Sequence, residues 1–271
     1  MSKINKKIAF LGAGNMAEAM IAGLVKSGLV PSKNIIVSDV SRERLSYLKK
    51  KYTVRAADSN TEAVKSAATI ILSVKPQVME QVLCEIGADI KSSQLVISIA
   101  AGVTTRYIEK YLKAGTPVVR TMPNTPLMAG AGATAVCKGL SSKKTHINES
   151  KKIFSVSGSV VEVTEDKINA ITALSGSGPA YVFYLAEMLK DAGVEMGLKE
   201  DIADELSRQT IYGAGKMLKE QNVPASEMRK KVTSPGGTTE AAITYLDKKS
   251  FSKIFKDGVK QAKKRAGSLS K

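Results

Sequence analysis

Two glycines and an alanine at fixed spacing form the first pattern in this sequence that can do chemistry. Gly12, Gly14 and Ala17 stand in a G-x-G-x-x-A arrangement directly after the apolar run Lys7-Ile-Ala-Phe-Leu11. In a strand–turn–helix unit the first glycine permits a tight turn, and the second lets the backbone approach a pyrophosphate at the start of the helix. An ordinary tight turn also uses glycine, but this context favours a dinucleotide-binding turn. Its residues are Gly12, Ala13, Gly14, Asn15, Met16 and Ala17.

The acidic residue that such a site needs follows a second apolar run. Asp39 lies 22 positions (39 − 17) after Ala17, at the distance where a carboxylate meets the adenosine ribose. Ser38 precedes it, and Ser41 and Arg42 follow. A carboxylate favours a ribose diol, whereas Ser41 and Arg42 can hold a 2′-phosphate. The sequence therefore leaves both NAD and NADP open as the cofactor.

Two further strand ends are expected at the same edge of the sheet, where ligands of doubly wound folds bind. The first is Ser73-Val74-Lys75-Pro76, and the second is Ile99-Ala100-Ala101-Gly102. Their small residues would let the backbone approach the nicotinamide half of the cofactor. Lys75 is a candidate for the catalytic site, but it reads equally well as a surface charge before a helix that begins at Pro76.

Asn124 stands between two prolines, Pro123 and Pro126, directly after another predicted strand. The segment predicts a rigid turn in any case. Asn124 can in addition orient either the nicotinamide carboxamide or a substrate.

Two glycine loops open helices later in the chain, 175–180 (SGSGPA) and 233–239 (TSPGGTT). Backbone amides at a helix start, together with hydroxyl groups, form an anion site suited to a small carboxylate. A plain helix cap needs one Ser or Thr, so paired glycines beside paired threonines favour binding. The candidate substrate residues are Ser177, Gly236, Gly237, Thr238 and Thr239.

The elements that must position these residues change in kind near residue 164. Predicted strands at 7–11, 34–39, 53–55, 69–74, 95–100, 118–121, 133–137 and 160–163 alternate with helices. That order predicts an α/β domain over 1–164 with a doubly wound, mainly parallel Rossmann sheet. An all-helical domain over 165–271 would follow, with helices at 166–175, 179–192, 199–221, 226–232, 239–248 and 250–266. The segment 180–186 is apolar almost all round, so a second subunit can cover its helix.

The composition narrows the function classes. The 271 residues carry a net charge of +16, which raises nucleic acid as a partner. The lysines are scattered, and no aromatic residues interleave with their clusters, so a solvated basic surface that attracts anionic ligands is the better account. Cys84 and Cys137 lie far from each other and from the single histidine, His146, so no metal site is expected. We expect His146 to lie in an exposed loop or at a helix start. No apolar run is long enough for a membrane span, and we expect a cytoplasmic protein.

Taken together and in order, these motifs resemble the pyrroline-5-carboxylate reductase family. The stretches GAGNMA, SVKP, IAAG, MPNTP, LSGSGPAY and SPGGTT carry the resemblance, which covers nearly the whole chain. It implies a Rossmann domain, a helical dimerisation domain that makes the protein a homodimer or higher homo-oligomer, and NAD(P)H-dependent reduction of 1-pyrroline-5-carboxylate to L-proline, the last step of proline biosynthesis. By position, Gly12 to Ala17, Ser38, Asn60, Ser73 to Pro76 and Ile99 to Ala101 would line the cofactor, and Gly237 to Thr239 would hold the substrate carboxylate.

Asp39 departs from family members that prefer NADP, which often lack an acid there, and this leaves the cofactor preference open. Because the sequence is poor in histidine, Thr239 or water is the expected proton donor.

Two rival functions stay in view. A β-hydroxyacid dehydrogenase shares the two-domain plan, but that class uses a lysine on the first long helix of its second domain, and 179–189 contains none. A cofactor-sensing protein without turnover would keep the glycine turn but lose the loop at 233–239.

Overall fold

Short apolar runs and the amphipathic stretches between them fold into an eight-stranded sheet flanked by helices. The computed structural model describes residues 3–221 and 223–270. Contacts divide the chain into a first unit, the described part of Met1–Gly176 with Ala262–Lys271, and a second unit, Ser177–Gln261. The strands are β1 Ile8–Leu11, β2 Ile35–Ser38, β3 Arg55–Ala56, β4 Thr69–Leu72, β5 Leu95–Ser98, β6 Val118–Met122, β7 Gly132–Lys138 and β8 Gly158–Glu162.

The strand order is β3-β2-β1-β4-β5-β6-β7-β8. The first six strands of this order pair in parallel, β7 runs antiparallel to β6, and β8 pairs in parallel with β7. The helices of the first unit are α1 Asn15–Lys26, α2 Arg42–Tyr52, α3 Asn60–Ser66, α4 Met79–Ile86, α5 Thr105–Glu109, α6 Lys144–Ser155 and α7 Ile168–Ile171. This arrangement confirms the predicted doubly wound, mainly parallel sheet.

Alternating side chains of the central strands feed two separate cores, one on each face of the sheet. Ile8 and Phe10 of β1 belong to a cluster that α1, α2 and α6 complete. Ala9 and Leu11 of the same strand belong to a cluster that α3, α4 and α5 complete. Both faces are therefore covered, which is why these strands are continuous apolar runs.

The second unit is helical throughout its described residues. It contains α8 Gly178–Glu195, α9 Glu200–Glu220, α10 Ala225–Lys231, α11 Thr238–Lys248 and the first residues of α12 Phe251–Ser268. A Cβ added at Gly193 of α8 would lie 3.1 Å from the Cβ of Ala203 in α9, so this glycine lets the two helices approach closely. The predicted all-helical region is confirmed.

The apolar face of α8 is exposed in the single chain. Phe183 is 61% exposed and Tyr184 62% exposed, and Gly193 is the buried residue of this helix. Neighbouring large apolar side chains that are exposed in this way mark interaction surfaces. The exposure agrees with the expectation that a second subunit covers this helix.

One predicted helix has a different form. The segment expected as a single helix over 166–175 consists of a 3-10 turn at Glu165–Lys167, the short α7, and a π-helical turn at Thr172–Gly176. The Thr172 and Ser175 hydroxyls donate to the carbonyls of Ile168 and Ile171, four residues earlier. Such hydroxyls compete with the regular helical ladder, and the carbonyl of Ser175 accepts a side-chain hydrogen bond instead.

Candidate active site

Gly12 makes the turn that leaves β1. Its φ of +100° is a conformation that L side chains rarely adopt, and an added Cβ would lie 2.7 Å from the carbonyl oxygen of Ser73. The Ser73 hydroxyl donates to the Gly12 carbonyl at 2.7 Å and to the Leu11 carbonyl at 3.0 Å. Glycine is therefore required here because the end of β4 lies directly against the turn.

Gly14 has the opposite environment. Its φ of −67° is ordinary, and an added Cβ would meet no atom within 4 Å among the described residues. Gly14 is the N-cap of α1, and within the described chain no side chain caps this helix. The first-turn amides of Asn15, Met16 and Ala17 thus face open space, where the helix dipole favours an anion. This open cradle fits a pyrophosphate.

A cleft of about 640 Å³ lies beside this turn, along the carboxyl ends of the first strands. Nine sequence-predicted residues line it: Gly12, Gly14, Ser38, Asp39, Arg42, Asn60, Ser73, Val74 and Lys75. Seven lining residues were missed from the sequence: Val40, Asp58, Ser59, Val78, Gln81, Val82 and Glu85. Val78, Gln81, Val82 and Glu85 follow β4 at the spacing of one helix face, which is a signal that could have found them.

The other predicted cofactor residues lie outside this lining, within the described part of the chain. Ala13 and Ala17 are fully buried under the turn. Ala100 is buried after β5, and its N–H donates to the Ser98 hydroxyl at 3.2 Å. Asn15, Met16, Pro76, Ile99 and Ala101 stand next to the strand ends and the turn that form the cleft.

Asn124 uses both ends of its side-chain amide within the fold. Its Oδ1 accepts from the N–H of Ala133 at 2.8 Å, and its Nδ2 donates to the carbonyl of Ser175 at 3.0 Å. These bonds fix the turn after β6 to the π-helical turn. The rigid-turn interpretation describes this geometry well, and a contact of Asn124 with cofactor or substrate stays a prediction.

The end of the cleft at β2 and α2 carries three charged side chains. The Asp39 carboxylate accepts from the N–H of Ala13 at 2.6 Å and from the N–H of Ser41 at 2.8 Å. The Arg42 guanidinium donates to Asp58 at 3.0 Å. On the adjoining wall, the Asn60 amide donates to Glu85 at 2.8 Å. The cleft therefore presents hydrogen-bonding groups of both charges, of which Asp39 is held by two backbone amides.

A network behind the turn holds α1 and α2 together. Glu18 accepts hydrogen bonds from Arg44, Lys51, Tyr47 and Tyr52, and Arg44 also donates to the carbonyl of Ala13 at 2.7 Å. Burial opposes ionisation of Glu18, but the bonds from its four partners outweigh it and hold its pKa at about 2. The charges of α2 thus anchor the base of the glycine turn.

Two further expectations concern His146 and metal ions. His146 lies in the first turn of α6, where its Nδ1 accepts from the N–H of Lys143 at 3.0 Å. Burial lowers its pKa. Among residues 3–221 and 223–270, no cluster of three or more His, Cys, Asp or Glu side chains has the arrangement of a metal site. Nor does this part of the chain contain a helix long and apolar enough to cross a membrane.

The loop at 233–239, in the second unit, forms a tight turn before α11. Gly236 has a φ of +73°, and the N–H of Gly237 donates to the carbonyl of Ser234 at 3.0 Å. Gly237 is the N-cap of α11, with no side-chain cap in the described chain. The N–H of Gly236 donates to the Glu240 carboxylate at 2.7 Å, so this loop already holds one carboxylate on its backbone. Ser177, in the other glycine loop, is the N-cap of α8.

The doubly wound sheet, the constrained Gly12 and the open Gly14 define a class: a Rossmann-type NAD(P)-dependent oxidoreductase. Two family models match the chain, pyrroline-5-carboxylate reductase dimerisation over residues 165–269 and NADP oxidoreductase, coenzyme F420-dependent, over residues 7–102. The chain belongs to the pyrroline-5-carboxylate reductase family.

Whole-chain comparisons establish this membership. The pyrroline-5-carboxylate reductase of Synechocystis sp. is 39% identical over 268 residues, covering 98% of each chain. A Coxiella burnetii pyrroline-5-carboxylate reductase structure has a TM-score of 0.93 at 38% identity, covering 99% of this chain and 100% of that one. A Plasmodium falciparum pyrroline carboxylate reductase structure with NADP bound has a TM-score of 0.88 at 30% identity, covering 100% of each chain. The resemblance of the motifs is confirmed.

Proposed function

We propose that this protein reduces 1-pyrroline-5-carboxylate to L-proline with NADH or NADPH, the last step of proline biosynthesis. The observation that carries the proposal is the presence, in one chain of this family, of an open dinucleotide cleft and a glycine loop before α11 in which the N–H of Gly236 donates to a carboxylate, that of Glu240. When bound, the reduced nicotinamide supplies a hydride for the C=N bond. The protein itself has to bind and orient the cofactor and the substrate, and to supply a proton to the substrate nitrogen.

The first task belongs to the glycine turn. The α1 amides hold the pyrophosphate, and Asp39 accepts from the ribose hydroxyls. Lys75 is exposed on the wall of the cleft. Its ammonium group supplies positive charge beside the cofactor, and on that basis we retain it as a catalytic-site candidate.

The substrate carboxylate is assigned to the loop at 233–239. The amides of Thr238 and Thr239 begin α11 without a side-chain cap in the described chain, and the dipole of this 11-residue helix favours an anion. Gly237, whose own N–H donates to Ser234, is retained as the N-cap residue beside them. Ser177 and Gly236 are retained as substrate-site candidates on the same reasoning. A protonated imine is already electrophilic, so holding the ring in place carries most of the catalytic effect.

The Thr239 hydroxyl, or a water molecule beside it, is assigned as the proton donor for the ring nitrogen. Thr239 is half-buried in the first turn of α11, next to the exposed Thr238. The imine nitrogen accepts the proton from this hydroxyl, whose oxygen regains one from water, and the protonated C=N bond is then the electrophile for the hydride. No strong acid is required at this step, since the imine nitrogen is itself a base.

The subunit organisation follows from the same features. We propose that functional domains divide between residues 164 and 165, supported by the dimerisation match that begins at 165. The helical domain forms a homodimer or a higher homo-oligomer through its exposed apolar face. The dispersed lysines favour a protein without a nucleic-acid partner. A cytoplasmic location stays a prediction, consistent with the unpaired Cys84 and Cys137.

The dehydrogenase alternative is less well supported. The first lysine after the apolar run of α8 is Lys190. Its ammonium group donates to Glu200 at 3.0 Å. A lysine engaged in an ion pair at this point of the helix does not provide the free ammonium group of the β-hydroxyacid dehydrogenase class. The second alternative is a cofactor-sensing protein without turnover. A measurement of substrate turnover distinguishes it from an enzyme.

Initial rates of Thr239→Ala, Thr239→Ser and Thr244→Ala test the substrate assignment. Thr244 lies exposed on the same helix and serves as the matched control. Thr239→Ala is expected to lower kcat/KM for the imine by about a hundredfold, the lower end of the range for losing a positioned proton donor, while Thr239→Ser retains activity and cofactor Kd is unchanged. Wild-type turnover and substrate affinity in Thr239→Ala would refute the assignment.

A further inference from the structure

The Asp39 carboxylate is locked at the end of β2. Its Oδ2 accepts from the N–H of Ala13, and its Oδ1 accepts from the N–H of Ser41, at 2.6 and 2.8 Å. Both backbone donors belong to rigid parts of the fold, the glycine turn and the start of α2. Since rotation of the side chain would break both bonds, moving Asp39 aside for a ligand costs free energy.

A locked carboxylate distinguishes the two forms of the adenosine ribose. Each carboxylate oxygen has a second lone pair after accepting one backbone N–H. Two acceptors remain, and they match the two donor hydroxyls of a ribose diol. A 2′-phosphate offers no comparable donors and places negative charge beside the carboxylate, which disfavours binding.

The nearby cation, Arg42, can compensate for this charge only after it leaves another carboxylate. Arg42 already pairs with Asp58 at 3.0 Å, and both side chains line the same cleft. Over the whole lining, three carboxylates (Asp39, Asp58, Glu85) face two cations (Arg42, Lys75), a net charge of −1. A protein with a net charge of +16 thus has a cofactor cleft that provides no surplus positive charge for an additional phosphate.

From these contacts we infer that Asp39 determines cofactor choice and makes NADH the preferred cofactor over NADPH. The inference rests on the proposed dinucleotide function of the cleft and makes it more specific. Arg42 can leave Asp58, because the pair is exposed and weak. NADPH therefore binds as well, with lower affinity, and the difference between the two cofactors resides in Asp39.

The test compares the Kd values of NADH and NADPH, measured by the fluorescence of the reduced nicotinamide on titration with full-length protein and no substrate. We expect wild-type protein to bind NADPH at least about tenfold more weakly than NADH, since Asp39 repels the 2′-phosphate and Arg42 has to leave Asp58 before it can pair with that phosphate. Asp39→Asn removes the charge and keeps an oxygen for Ala13. It is expected to reduce the NADPH-to-NADH ratio of Kd values by about tenfold.

Asp89→Asn is the matched control. It makes the same charge change at a residue that pairs with Lys65 at 3.0 Å and does not line the cleft, so its Kd ratio should equal that of wild type. The wild-type ratio decides the inference even if Asp39→Asn fails to fold. NADPH binding as tightly as NADH to wild-type protein overturns it, as does an unchanged ratio in a folded Asp39→Asn variant.

Rates with 1-pyrroline-5-carboxylate separate this inference from the proposed function. Imine-dependent oxidation of both cofactors, with equal Kd values, would overturn the NADH preference and leave the reductase intact. Tighter NADH binding without any imine-dependent oxidation would support the role of Asp39 and overturn the reductase.

Discussion

The two glycines of the turn at 12–14 should respond in opposite ways to the same substitution. Gly12→Ala places a Cβ 2.7 Å from the Ser73 carbonyl oxygen at a φ of +100°. The unfavourable backbone conformation costs about 1–2 kcal/mol, and overpacking adds about 1–3 kcal/mol. At roughly 2–4 °C per kcal/mol for a domain of this size, Tm should fall by about 4–20 °C. This loss of stability should be seen both with and without cofactor.

Gly14→Ala should leave stability almost unchanged and damage binding. Its φ is −67° and its added Cβ meets no atom within 4 Å in the described chain. Lower entropy of the unfolded chain offsets the poorer N-cap, so the net change should be within about 1 kcal/mol. The Cβ occupies the space assigned to the pyrophosphate. Losing one charge-assisted amide bond, at about 1.5–3 kcal/mol, predicts a roughly 10- to 150-fold weaker cofactor Kd.

The assay pairs thermal unfolding without cofactor with fluorescence titration of NADH on both variants. The wild-type protein gives the reference Tm and Kd. The reasoning is refuted if Gly14→Ala loses as much stability as Gly12→Ala. It is also refuted if Gly14→Ala binds NADH with wild-type affinity, since the open space at Gly14 would then have no part in binding.

Three further predictions follow from contacts outside the cleft. The Glu18 pKa of about 2 lies below its ordinary 4.5, so Glu18 stabilises the fold above pH 4.5 and loses this effect toward pH 2; Glu18→Gln should flatten the dependence of Tm on pH in that range. Glu165→Gln should lower the free energy of unfolding, measured in urea, by about 2 kcal/mol, because Arg120, whose side chain is 3% exposed, loses its carboxylate partner. A change near zero would show that the Arg120–Glu165 pair does not contribute to stability. Phe183→Asp, on the exposed face of α8, should yield monomers in sedimentation velocity, whereas an intact oligomer would exclude this face as the interface.

The sheet could be predicted from the sequence because its central strands, β1, β2, β4 and β5, are buried on both faces. Continuous apolar runs such as Ile70-Ile-Leu72 have few other structural solutions when helices alternate with them. The turn Gly12-x-Gly14 was also predictable, because the spacing of its glycines follows directly from a strand-to-helix connection around a phosphate. Local chemistry was enough for both.

The contacts that close the site could not be read in the same way. Ser73 anchors the glycine turn from a strand 61 positions away, and Asp39 binds the amide of Ala13 across 26 positions. Neither pairing has a local pattern. The π-helical turn at Thr172–Gly176 was also hidden, because an apolar helical pattern does not reveal which backbone carbonyl will accept from Asn124.

The most direct test of the reductase assignment is oxidation of NADH and NADPH by the purified protein at neutral pH, with and without 1-pyrroline-5-carboxylate. Absorbance of the reduced nicotinamide gives the rate, and amino-acid analysis of the same reaction gives the product. We predict imine-dependent oxidation, with one L-proline formed for each cofactor oxidised. Binding of both cofactors without imine-dependent oxidation, or oxidation without L-proline, would contradict the assignment.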